Sequence, residues 1–310
     1  GQVLSGGSPF EISTPFLEAE LFDIKFAQSA DVMYLCHPNH DVRKLSRTGH
    51  TAWTLATVSF TGSPSLPISG ANNRPSCVSF FEQRLVFANT NNNPQTLWFS
   101  KAGDYENFTT GTNADDAMIY TIASNQVNAI QYLKAVRTLI VGTSGGEFTV
   151  SADGTDASIT PTNVTIKRQS SFGSAGVDAI PAGNAVLFLQ KAKRKIRELA
   201  YNFDSDGYVA PDLTILNDTV TKSGVNQMIF QQEPDSIIWC VRDDGVLAGL
   251  TYQRSENVVA WHRHIFGGAF GSGNSVCESA ASISGTLTED ELWVIVKRTI
   301  NGATKRYVEC

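Results

Sequence analysis

Short runs of Val, Ile, Leu, Phe, Tyr, Trp and Thr, about 5 to 8 residues each, recur along the whole chain, separated by Gly, Asn, Asp, Ser and Pro. Runs of that length match strands and are too short for most globular helices. They pair into six hairpins: VMYLC with VRKLSR, RLVFAN with TLWFSK, TLIVGT with GEFTVSA, AVLFLQ with KIRELAYN, SIIWCVR with VLAGLTYQ, and ELWVIVKR with KRYVEC. The linkers carry hairpin turn chemistry, with Asp243, Asp244 and Gly245, then Asn301 and Gly302, and also Gly145 and Gly146.

The hairpins start near Val32, Leu85, Leu139, Ala185, Ile237 and Leu292. Spacings of about 45 to 55 residues suit one four-stranded propeller blade. The expected fold is therefore all-β, a six-bladed β-propeller forming a single domain over residues 1–310. The expected blades span about 22–60, 74–110, 118–160, 162–215, 222–265 and 275–310. TAWTLATVSF, SCVSFF and VNAIQYL supply flanking strands, and PFEISTPF, within residues 1–21, is expected to close the last blade and so remove an exposed sheet edge. A multi-sheet β-sandwich or a pair of barrels is the alternative.

Helical periodicity is thin. The best segment is FLEAELFDIKFAQ, where Glu18 and Glu20 suit an N-terminal turn. Pro15 before it and the alternation after it limit a helix to about two turns.

Composition narrows the function classes. A hydrophobic fraction of 42% against 17% charged residues suits a globular chain with a sizeable core. A net charge of −6 and a pI near 5.4 argue against general nucleic-acid binding, which needs surplus Lys and Arg. No apolar run approaches the ~18 residues of a membrane helix, so no membrane partner is expected. The chain opens at Gly1 without a Met and is read as part of a longer protein. Cys36, Cys77, Cys240, Cys277 and Cys310 lack any CxxC spacing and are expected as reduced thiols in apolar surroundings.

The segments SADVMYLCHPNHDVRKLSRTGHTAWTL and RPSCVSFFEQRLVFANTNNNPQTLWFSKAGDYENF resemble structural proteins of podovirus-like bacteriophages and prophages. YNFDSDGYVAPDLTILND, GVLAGLTYQRSENVVAWHRHIFGG and DELWVIVKRTINGATKRYVEC are similar to the same family, so the resemblance spans nearly the whole chain. It implies a virion protein of the tail nozzle, tail tube or head-to-tail hub, made in the host cytoplasm. It also implies hexamers, contact with other tail or connector proteins, and assistance to genome passage. The alternative is a tail-associated propeller that binds or hydrolyses glycans.

Several residue groups offer chemistry. Lys191, Lys193, Lys195 and Arg197 alternate along QKAKRKIREL, and on a strand they share one face that can meet DNA phosphates. The competing reading is a solvated or edge-protecting strand face. Asn202, Asp204, Asp206 and Gly207 match the first half of a calcium loop, calcium being the one cofactor considered. Leu213 stands where that loop needs a bidentate Glu, and an acidic β-turn is the competing reading.

Cys36, His37, His40 and His50 offer zinc ligands at poor spacing, with His262 and His264 far along the chain. A hydrogen-bonded hairpin turn is the simpler reading there. No GxSxG, HExxH or phosphate-binding loop occurs, and Asp115–Asp116 and Asp243–Asp244 sit beside turn residues, so no catalytic residue is assigned. Trp53, Trp98, Trp239, Trp261 and Trp293 fall on different blades and are expected to fill the core rather than to stack on sugar.

Overall fold

The computed structural model describes residues 3–62, 68–123, 127–154, 157–285 and 289–310. The fold is all-β, a β-propeller of six antiparallel sheets taken in chain order. Blade 1 contains strands Lys25–Ser29, Val32–His37, His40–Gly49 and Ala52–Thr57. Blade 2 contains Cys77–Phe81, Arg84–Ala88, Thr96–Phe99 and Met118–Thr121. Blade 3 contains Ile130–Ala135, Leu139–Thr143, Gly146–Ser151 and Thr165–Ser170.

Blade 4 contains Ile180–Ala182, Ala185–Leu189, Ile196–Asn202 and Gly207–Val209. Blade 5 contains Val225–Gln231, Ile237–Arg242, Leu247–Gln253 and Val258–His264. Blade 6 contains the three strands Val276–Ser284, Asp290–Ile300 and Ala303–Glu309. The chain divides into two compact units, Gly1–Arg168 and Gln169–Cys310. Among the described residues, no helix is long and apolar enough to cross a membrane.

Two-residue alternation builds the core inside each unit. In blade 2, Val86, Ala88, Leu97 and Phe99 point one way, into a cluster with Leu139, Val141 and Phe148 of blade 3. Leu85, Phe87 and Trp98 point the other way, to Tyr34, Cys36 and Val42 of blade 1. Blade 5 repeats this arrangement in the second unit. Ile238, Cys240, Ala248 and Leu250 meet Leu187, Leu189 and Ile196 of blade 4, while Trp239, Val241 and Leu247 meet Cys277, Val294 and Val296 of blade 6. Strands buried on both faces read as continuous apolar runs, which is why RLVFA, LIVGT and AVLFL stand out in the sequence.

Three sequence expectations are corrected. Met118–Thr121 pairs with Thr96–Phe99 as the outer strand of blade 2, not as the start of the next blade. Thr165–Ser170 likewise belongs to blade 3, so the expected boundaries at 118 and 162 lie one strand early. Residues 10–16 form no strand and so supply no closing element; among the described residues a short pairing of Leu4–Ser5 with Ser8–Pro9 precedes them. The helical signal becomes one short 3₁₀ turn, Glu18–Asp23.

Two glycines are dictated by close approach. A Cβ on Gly142 would lie 2.2 Å from the Tyr132 ring, and one on Gly249 would lie 2.0 Å from the His262 ring. In both places the ring of the directly paired residue on the neighbouring strand occupies the space a Cβ would need.

Candidate functional site

The basic run 191–197 does not form one strand face. Residues 191–195 make the turn between two strands of blade 4, and Lys193 has a left-handed φ of 58°. Period-two alternation therefore does not apply there. The Lys193 ammonium donates to Asn226 at 3.1 Å, and Lys195 pairs with Asp212 at 2.8 Å. Arg197 alone is on a strand; its guanidinium donates to Gln190 and to the Ala210 carbonyl and lies 3.5 Å from the centroid of the Phe172 ring. Lys191 is exposed and remains available to an anion.

The loop at Asn202, Asp204 and Asp206 is a hairpin turn between the last two strands of blade 4. Asn202 Oδ1 accepts the Ser205 amide at 3.1 Å, and Asp206 Oδ1 accepts the Tyr201 hydroxyl at 2.6 Å. The left-handed residue is Asp206, with φ 45°, rather than Gly207, so glycine does not play the role a calcium loop requires of it. Asp212 is turned to Lys195 and Thr214. Burial alone would raise its carboxyl, yet the bonds from Lys195 and Thr214 hold it below the ordinary range.

The acid pairs also serve turns. Lys101 lies 2.9 Å from Asp115 and 3.7 Å from Asp116, while Asp244 pairs with Arg242. Trp98 and Trp239 are buried as expected, but Trp53, Trp261 and Trp293 are half-buried. Four cysteines are buried and in no disulfide, and Cys310 is exposed. Burial pushes the Cys240 thiol up to about 12 and the Cys277 thiol up to about 11, which removes thiolate chemistry near neutral pH.

Both units contain a cavity near 500 Å³ among their described residues. In the first unit, a cavity of about 500 Å³ opens beside the inner hairpin turns of blades 1, 2 and 3, lined by Ser29, Phe80, Glu82, Gln83, Tyr105 and Arg137. Glu82 and Gln83 both take left-handed φ values, 44° and 59°, so this two-residue turn holds non-glycine side chains where Asn-Gly is the easier choice. Glu82 accepts the Ile159 amide at 2.7 Å, and Phe80 meets Tyr105 edge to face at 4.9 Å.

In the second unit, a cavity of about 480 Å³ is lined by Trp239, His264, Glu289, Asp290, Glu291 and Glu309. Its carboxylates favour a cationic visitor. Trp239 is only 8% exposed, which leaves little ring face for a sugar to stack on.

Sequence reasoning did not find the apolar side chains left in water. Around the 3₁₀ turn, Leu17, Leu21, Phe22 and Phe26 are 51–66% exposed. In blade 4 and the connection after it, Phe203, Ile215 and Leu216 are 87, 73 and 97% exposed. Leu17, Leu21 and Phe22, and Ile215 and Leu216, are apolar residues close together in stretches that are neither strand nor long helix, and that is the signal that marks these five.

No protein-family model matches the chain, and no curated protein matches it. Among solved structures it is similar to a protein from Lactobacillus plantarum, at 13% identity and TM-score 0.48, covering 92% of this chain and 80% of that one. It is also similar to the Cps50 (Swd1) β-propeller domain of Myceliophteria thermophila, at 10% identity and TM-score 0.48, covering 93% and 84%. A luciferin-regenerating enzyme matches at 11% identity and TM-score 0.46, covering 90% and 86%. None of the three is named as a phage protein. Likenesses at this level carry nothing about chemistry, and the blade assignment rests on the strand pairings themselves.

Proposed function

We propose that this chain is a structural component of a short-tailed phage virion, in the tail nozzle or the connector hub, that works by docking other virion proteins beside the path of the genome. The observation that supports this reading is the exposure of Phe203, Ile215 and Leu216, together with Leu17, Leu21, Phe22 and Phe26. Contiguous exposed apolar side chains mark protein interfaces, and Leu17, Leu21 and Phe22, like Ile215 and Leu216, stand close together in sequence and in water. The resemblance to podovirus structural proteins supplies the identity of the partners: other tail or connector proteins and further copies of the chain in a hexamer.

Exposed Lys191 gives the genome a point of phosphate contact, and partnered Lys193, Lys195 and Arg197 give it little more. Light scattering behind a sizing column, on the full-length protein alone and mixed with tail-less heads, tests the reading. A hexamer, or a monomer captured by the heads, is expected. A monomer that the heads do not bind overturns it.

A further inference from the structure

We propose that Glu20, His37 and His40 form a binding site for one late first-row divalent metal ion, zinc in the first instance. A ring nitrogen from each histidine and one Glu20 oxygen all lie within 4.8 Å of one another. His37 ends one strand of blade 1, His40 begins the next, and Glu20 reaches them from the 3₁₀ turn that precedes the blade. Strand pairing places His37 opposite His40 across the two-residue turn, which brings both imidazoles to one side of the hairpin. Cys36 is no part of the set: one residue earlier, its side chain points to the opposite face, fully buried in the core.

Each donor suits the role. Glu20 is held ionised, its carboxyl lowered to about 2 by the Leu17 amide and by His40 and Asn39. Leu17 donates to Oε2 at 3.0 Å and Asn39 Nδ2 to Oε1 at 3.0 Å, so the carboxylate is oriented from behind, as second-shell partners orient ligands elsewhere. His40 Nε2 sits 2.7 Å from Glu20 Oε2. An ion would replace the proton between them, and these two atoms would move apart while His37 moves in, because bonds of about 2.0–2.2 Å space tetrahedral ligands by ~3.4 Å.

His37 is the second, independent sign. It is 2% exposed, and its Nε2 has no hydrogen-bond partner among the described residues. A polar atom buried without a partner carries a cost that a ligand removes. His37 Nδ1 now accepts the Asn39 amide at 3.1 Å. Ligation through Nε2 moves the ring proton to Nδ1 and turns that amide away, a small change because Asn39 is exposed at the tip of the turn.

Two imidazoles and one carboxylate favour zinc over calcium or magnesium, which prefer all-oxygen sets. Three protein ligands leave a fourth position for water or a partner's side chain. The bound ion would fasten the exposed apolar turn 17–23 to blade 1.

The experiment uses the full chain, stripped with chelator and titrated with Zn²⁺ by calorimetry and with Co²⁺ by visible absorption. One equivalent is expected, with intense tetrahedral Co²⁺ bands and a zinc-dependent rise in melting temperature. E20Q and H40Q, at positions only partly buried, should each weaken binding by more than about 100-fold, since outer partners alone are worth about 10–100-fold. H262Q/H264Q should bind as the parent does. Absence of saturable binding, binding unchanged in E20Q and H40Q, or binding lost only in H262Q/H264Q would each overturn the proposal.

Discussion

Replacing Arg84 with Met should unlatch blade 2. The Arg84 side chain is buried, and its guanidinium gathers four main-chain carbonyls. Nη1 donates to Ser100 at 2.7 Å, Asp116 at 2.7 Å and Asp115 at 3.3 Å, and Nη2 donates to Ala114 at 2.7 Å. One side chain thus holds the turn 113–117 against the end of the strand Thr96–Phe99. Met fills similar volume but donates nothing. The carbonyls of Ala114 and Asp115 belong to exposed residues and can turn to water, whereas Ser100 is fully buried and Asp116 is partly so.

Each acceptor left buried without a donor costs about 1–3 kcal/mol, so the Ser100 and Asp116 carbonyls together cost about 2–6 kcal/mol. We expect a loss of about 3–5 kcal/mol, read as a urea midpoint lowered by about 1–2 M at unchanged slope if the slope is near 3 kcal/mol/M. Because the acceptors are neutral carbonyls, the loss should be nearly the same at low and high NaCl. Arg84→Lys keeps the charge without the planar fork and should recover less than half of the loss. A Met variant within about 1 kcal/mol of the parent would refute the reasoning.

Three further outcomes are expected. Gly142→Ala forces a Cβ into the Tyr132 ring and should cost about 1–3 kcal/mol in the same urea titration. Glu20 has its pKa depressed, so its contribution is present above the ordinary value near 4.5 and is lost as pH falls towards about 2; hydrogen exchange in residues 17–23 should rise over that window ahead of exchange in blade 5. Phe203→Ser with Leu216→Ser should leave the melting temperature within about 2 °C but weaken partner capture about 100-fold or more, since burying such side chains is worth about 1.5–3 kcal/mol each.

Much of the fold was legible because the second strand of most blades is an unbroken apolar run. The expected hairpin starts at Val32, Leu139, Ala185 and Ile237 coincide with observed strand starts, and those at Leu85 and Leu292 lie one and two residues inside their strands. The outer strands were assigned to the wrong blade because they carry little pattern: Met118–Thr121 and Thr165–Ser170 are half-exposed, and loops of unlike length lead to them.

The basic run departs from strand alternation for a different reason. Its turn contains no Gly or Asn, and Lys193 takes the left-handed conformation that those residues usually announce. Of the metal cluster, the two histidines were visible, but Glu20 lies 17 residues before His37 and joins it only because the 3₁₀ turn folds back on the hairpin. Local spacing carries no trace of such a contact.

The most direct test of the virion reading is the composition of phage particles purified from cells that carry the coding sequence, measured by quantitative mass spectrometry with antibody labelling in electron micrographs. The account predicts the protein in every particle, in copies that are a multiple of the hexamer, with label at the tail or its junction with the head. A protein abundant in the lysate but missing from washed particles would contradict it.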